Sequence, residues 1–132
     1  MNRVIIKIKT AMNILRCRCQ RFKRGWAYSD VWNMNGWFIS TVKPMLIHLK
    51  NNGISYPIGF NDRSEWETVL DEMIDCLDFM DEDYDLKFLG FGEIDDYKRM
   101  TRDDWDKVYT MMVENKNRLF ELFSKYYFDL WD

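Results

Sequence analysis

The sequence predicts an all-α fold: a compact single-domain helical bundle of four to five helices spanning residues 1 to 132. Apolar residues recur at spacings of three and four along most of the chain, which is helix timing. Only two prolines, no repeat and no low-complexity run leave no linker at which to divide it. A chain of 132 residues is also one domain by size, long enough to bury about two thirds of its unfolded surface.

The first element is a basic amphipathic helix within residues 1 to 24. Ile5, Ile8, Met12, Leu15, Cys19 and Phe22 follow one another at spacings of 3, 4, 3, 4 and 3, a helix over about 4 to 23. The Ile-Lys alternation leaves a strand open for its first turns. Gly25 ends this helix, and Ser29 or Asp30 can cap a new start. Beyond Asn35, a further candidate cap, Trp37, Phe38, Val42, Met45, Leu46 and Leu49 carry a helix to Asn52 and Gly53, expected as a left-handed stop. Pro44 removes one backbone donor inside it and predicts a kink. Residues 54 to 62 read as a loop.

The third helix opens on a capping box of Ser64 and Glu67. Trp66, Val69, Leu70, Met73, Ile74, Leu77 and Met80 fall on one side, and Glu67, Asp71, Asp75, Asp78 and Glu82 on the other. Residues 86 to 100, punctuated by Gly90 and Gly92, read as a loop. Thr101 and Asp104 then cap a last helix over about 102 to 128, with Trp105, Val108, Tyr109, Met112, Leu119, Phe123 and Tyr126 facing inward.

The net charge of −3 hides a strong asymmetry. Residues 1 to 24 carry eight bases and no acid, +8, whereas the acidic helical half, 62 to 132, carries 21 acids against 9 bases, −12. Eight acids stand between positions 71 and 85 without one base: Asp71, Glu72, Asp75, Asp78, Asp81, Glu82, Asp83 and Asp85. As a calcium loop they fail, because Asp81, Asp83 and Asp85 are followed by Leu86 where the turn glycine belongs and by Gly92 at the last ligand position. As acid/base catalysts they share one solvated environment, which does not separate their pKa values. As an electrostatic surface they fit better. Asp71, Asp75, Asp78 and Glu82 rise about 4.5 to 6 Å per step, close to the phosphate spacing of a nucleic-acid strand. A merely solvated helix face is the plainer alternative.

The basic segment poses the mirror question. Arg16, Arg18, Arg21, Lys23 and Arg24 suit phosphates, or an anionic membrane surface with Ile5, Ile8, Met12 and Phe22 inserted, or docking on the bundle with their charges paired to the acidic half. His48 reads as a core-edge residue, and Cys17, Cys19 and Cys76, odd in number and without metal spacing, as reduced thiols. No catalytic residue, metal site or cofactor is expected. No apolar run approaches the roughly 20 residues of a membrane span, and the basic start lacks the features of a signal peptide, so a host-cytosolic protein is expected.

Arg24, Gly25, Trp26, Ser29, Asp30, Val31, Trp32, Leu49, Lys50, Gly53, Tyr56, Pro57, Glu65 and Trp66 carry a resemblance over about residues 20 to 80. By these residues the chain resembles a group of small uncharacterised bacteriophage and prophage proteins. The resemblance implies phage origin and a compact helical domain, and brings no activity with it. Together with the acidic surface it leads to one expectation: a non-enzymatic inhibitor of a host defence nuclease, such as a Cas effector, whose basic nucleic-acid-binding channel the acidic helix occupies. The alternatives are a phage nucleic-acid-binding accessory protein using the basic helix, and a virion or assembly component.

Overall fold

The computed structural model describes residues 3 to 93 and 95 to 131, so positions 1 and 2 of the expected basic segment lie outside the described residues. The all-α class is as predicted. Five α-helices follow in order: α1 (Arg3–Arg24), α2 (Met34–Asn52), α3 (Arg63–Asp78), α4 (Glu82–Phe88) and α5 (Arg102–Tyr126). Short 3-10 helices cover Tyr28–Asn33, Asp96–Lys98 and Tyr127–Asp129, and no strand occurs among the described residues. Nor is any described helix long and apolar enough to cross a membrane. The chain forms two compact units, Met1–Phe38 and Ile39–Asp132, with α2 starting in the first and continuing in the second.

In the first unit, α1 ends at Gly25, which takes φ 79° and donates its N–H to the Arg21 carbonyl at 2.8 Å. The following turn is fastened by Asp30. Its carboxylate accepts the Ala27 N–H at 2.7 Å and two guanidinium bonds from Arg21, at 2.5 and 3.1 Å. The Arg21 bonds, then the Ala27 N–H, hold the Asp30 carboxyl below the usual range. The cap of α2 is Asn33 rather than Asn35: its side-chain oxygen accepts the Gly36 N–H at 3.1 Å. A Cβ at position 36 would stand 2.5 Å from the Asn33 amide, so glycine is what lets this cap close.

In the second unit, α2 runs through Pro44 and stops at Asn52 without the left-handed glycine expected at Gly53. Arg63 braces this end: its Nη2 donates to the Leu49 and Lys50 carbonyls at 3.1 and 2.9 Å, and Leu49 also accepts the Gly53 N–H at 2.9 Å. The cap of α3 is Asp62, whose carboxylate accepts the Glu65 N–H at 3.0 Å. The expected Ser64 box does not form, because the helix starts earlier and Ser64 lies inside its first turn, while Glu67 pairs with Arg63 at 2.9 Å.

The core of this unit lies between α3, which buries Trp66, Leu70, Met73, Cys76 and Leu77, and α5, which buries Val108, Leu119 and Leu122. Leu86 of α4 and Leu46 of α2 complete it. Trp105 and Tyr109, expected inward, are exposed; Trp105 stacks on Tyr97 with ring centroids 6.2 Å apart, and Leu122 holds the inward position that the sequence reading missed. Thr101 and Asp104 form the expected capping box, with Thr101 N–H to Asp104 Oδ2 at 2.8 Å and Asp104 N–H to Thr101 Oγ1 at 3.3 Å.

The acidic stretch is two helices and not one. α3 ends at Asp78, and Asp81 caps α4 by accepting the Asp83 N–H at 3.0 Å. Part of the expected 86 to 100 loop is therefore helical. α4 closes in a Schellman motif: Gly90, at φ 86°, donates to the Lys87 carbonyl at 3.0 Å, and the Phe91 N–H reaches the Leu86 carbonyl at 2.7 Å.

Candidate functional site: an acidic ridge on α3 and α4

The ridge begins with a ladder of ion pairs. Lys50 Nζ meets Asp71 at 2.6 Å and Lys43 meets Asp78. Both lysines are seven residues apart on α2 and both aspartates seven apart on α3, in opposite order. Two antiparallel helices thus share one repeat of about 10.5 Å. On another side of α3, Glu72 accepts from Arg118 Nε of α5 at 2.5 Å, and Arg118 Nη1 also reaches Glu121 at 3.0 Å. The bonds to Glu72 and then Glu121 raise the Arg118 pKa. Glu72 and the burial of Cys76 act together on that thiol: burial first, then the neighbouring carboxylate, push its pKa up.

Three of the eight expected partner-binding carboxylates, Asp71, Glu72 and Asp78, are therefore already neutralised by the protein's own cations. The acidic surface expected from the sequence is corrected at these three positions, which the protein's own cations already occupy. Lys43, Lys50 and Arg118 are the residues sequence reasoning missed. Asp85 is a second correction. It is 0 % exposed, and so it does not belong to any exposed surface. Neither of its carboxylate oxygens has a hydrogen-bond partner among the described residues, and burial, followed by the charge of Asp81, pushes its pKa up to about 6.

Asp75, Asp81, Glu82 and Asp83 remain exposed, and none of them forms an ion pair among the described residues. Asp81 caps α4, while Glu82 and Asp83 lie in its first turn, where the positive end of the helix dipole favours acids. Asp75 stands on α3 midway between the two rungs of the lysine ladder and has no such local role. Tyr84 and Phe88 of α4 are exposed beside these acids, each packed edge-on against Phe79 at 5.2 Å between centroids. Among the described residues no group of three or more His, Cys, Asp or Glu side chains could hold a metal ion.

The alternative nucleic-acid residues divide differently. Arg21 is bound to Asp30, and Arg24 lies 3.7 Å from the Trp26 ring centroid and 4.5 Å from that of Tyr28. Arg16 sits 5.8 Å from the Tyr28 centroid. Arg18 and Lys23 are exposed and pair with no acid among the described residues.

Comparison with known proteins adds no relative: no family model, curated protein or solved structure matches this chain.

Proposed function

We propose that this chain is a non-enzymatic phage protein that inhibits a host defence nuclease of the Cas type by placing its acidic ridge in the nuclease's basic nucleic-acid-binding groove. The observation that supports this reading is the division of labour among the carboxylates. Asp71, Glu72 and Asp78 of α3 are spent on internal ion pairs, whereas Asp75 of α3 and Glu82 and Asp83 of α4 stay exposed and form no ion pair among the described residues. Unpaired like charges at this density work against the fold. The paired carboxylates hold α3 against α2 and α5, so the free ones are presented on a braced surface. Exposed Tyr84 and Phe88 beside them supply the aromatic anchors that interfaces concentrate their affinity in. Charge complementarity of this kind governs encounter rate and partner choice.

Mixing the purified protein with a panel of Cas nucleases and measuring target cleavage tests the proposal. Cleavage by at least one is expected to fall at molar excess of the protein, and the triple variant Asp75→Lys, Glu82→Lys, Asp83→Lys is expected to lose that inhibition while staying folded, its melting temperature lowered by only a few degrees through the two cations at the start of α4. Asp71 and Asp78 are poor sites for this test, since reversing them also breaks the pairs to Lys50 and Lys43. Undiminished cleavage across the panel, or full inhibition by the triple variant, overturns the proposal.

A further inference from the structure

We propose that α1 is a membrane-surface helix that lies on anionic lipid with its apolar face inserted. The inference uses the first unit alone and does not depend on the acidic ridge. Ile5, Ile8, Met12, Leu15 and Phe22 are 47, 54, 65, 63 and 93 % exposed, although each is a residue whose side chain gains from leaving water. Wound at about 100° per residue they share one arc of about 100°, the width of an apolar helix face. Cations line both edges of that arc, Lys7 and Arg18 on one side and Lys9, Arg16 and Lys23 on the other, and no acid occurs from residue 3 to residue 29. Long basic side chains at the edges of an inserted face keep their stems in the apolar layer and their charges among the headgroups. Past the end of the helix, Trp26, Tyr28 and Trp32 are exposed, the residue types that settle at the headgroup level of a bilayer.

Charge and pattern select this occupant over the others. The apolar spacing of 3, 4, 3, 4, 3 also describes a coiled-coil seam, but the positions flanking the seam include Lys9, Arg16, Arg18 and Lys23, so two copies would set like charges against each other. The seam also spans fewer than the roughly three to four heptads that a coiled coil sustains. Nucleic acid would satisfy the cations and leave five large apolar side chains in water, whereas an anionic lipid surface satisfies both.

The test is flotation of the full chain with phosphatidylcholine vesicles, with and without a phosphatidylglycerol fraction, at low and high salt. Partitioning is expected to be about tenfold or more stronger on the anionic vesicles and to weaken with salt. Ile8→Asn with Leu15→Asn should reduce it about tenfold or more, and Arg16→Glu with Lys23→Glu should remove the anionic preference. Both double variants should keep the helical content and melting temperature of the parent. No flotation, equal flotation with both vesicles, or unchanged flotation of the Ile8/Leu15 variant overturns the proposal. So does duplex DNA binding without vesicle binding, a dimer in sedimentation that the Ile8/Leu15 variant dissolves, or a large fall in that variant's melting temperature.

Discussion

Trp66→Ala is expected to lower the melting temperature of the second unit by about 15 °C or more, the largest effect of any single substitution considered. Trp66 is 1 % exposed at the start of α3 and packs on Phe60 of the preceding loop and Tyr126 at the end of α5, with ring centroids 5.5 and 5.4 Å away. Phe60 and Tyr126 in turn lie 5.7 Å apart, so the three rings close on one another. Truncating a buried tryptophan costs about 3 to 5 kcal/mol through lost transfer energy and the cavity left behind. Each ring pair that disappears adds about 0.5 to 1.5 kcal/mol. Because this cluster ties the loop before α3 to the start of α3 and the end of α5, the loss is cooperative and should show as a lower urea midpoint with an unchanged slope. Trp66→Phe keeps a ring in the site and should recover a large part of the loss. A melting temperature within a few degrees of the parent for Trp66→Ala would mean the cluster is not part of the stable core.

Asp85→Asn has the second largest expected effect, and it is stabilising at neutral pH. A carboxylate that is 0 % exposed, with no partner for either oxygen among the described residues, carries an uncompensated desolvation penalty when charged. Burial and the nearby Asp81 raise its pKa to about 6, so the folded protein binds this proton more tightly than the unfolded chain does. Its contribution is therefore most favourable below the unfolded pKa, where the group is neutral in both states, and is lost as pH rises through about 6. Above that pH the penalty is on the order of 3 kcal/mol, the shift of about two pKa units converted at about 1.4 kcal/mol each. Asparagine has nearly the same shape and no charge at any pH. Calorimetry at about pH 7.5 should show a higher melting temperature for Asp85→Asn, with the difference closing toward pH 4. An equal difference at both values would show that charge is not the reason.

Much of the helical framework was legible in the sequence because periodicity is local information. The spacing from Ile5 to Phe22 located α1 to within a residue or so at each described end, and Thr101 with Asp104 fixed the start of α5. The break at Phe79 was hidden, since no glycine or proline marks it and the apolar rhythm of α3 continues to Met80. The signal for α4 was nonetheless present: Asp81, Glu82 and Asp83 read as a capped, acid-rich first turn, and Gly90 as its stop. Missing that restart also misplaced Asp85, because on the separate α4 it points inward with Leu86. The ion pairs that consume Asp71, Asp78 and Glu72 were of another kind. The matched spacings of Lys43 to Lys50 and Asp71 to Asp78 lie in the sequence, but which helices run side by side and in which direction is long-range information. Arg118 stands 46 residues from Glu72 and carries no local mark of the contact.

If the unpaired acids of α3 and α4 compete with nucleic acid for a basic groove, the competition is read by fluorescence anisotropy of a labelled target bound to a Cas nuclease. Titrating in this protein is expected to release the label, added salt to weaken the release, and the Asp75→Lys, Glu82→Lys, Asp83→Lys variant to release none. Inhibition of cleavage with the labelled target still fully bound, or release by the variant equal to that of the parent, would contradict it.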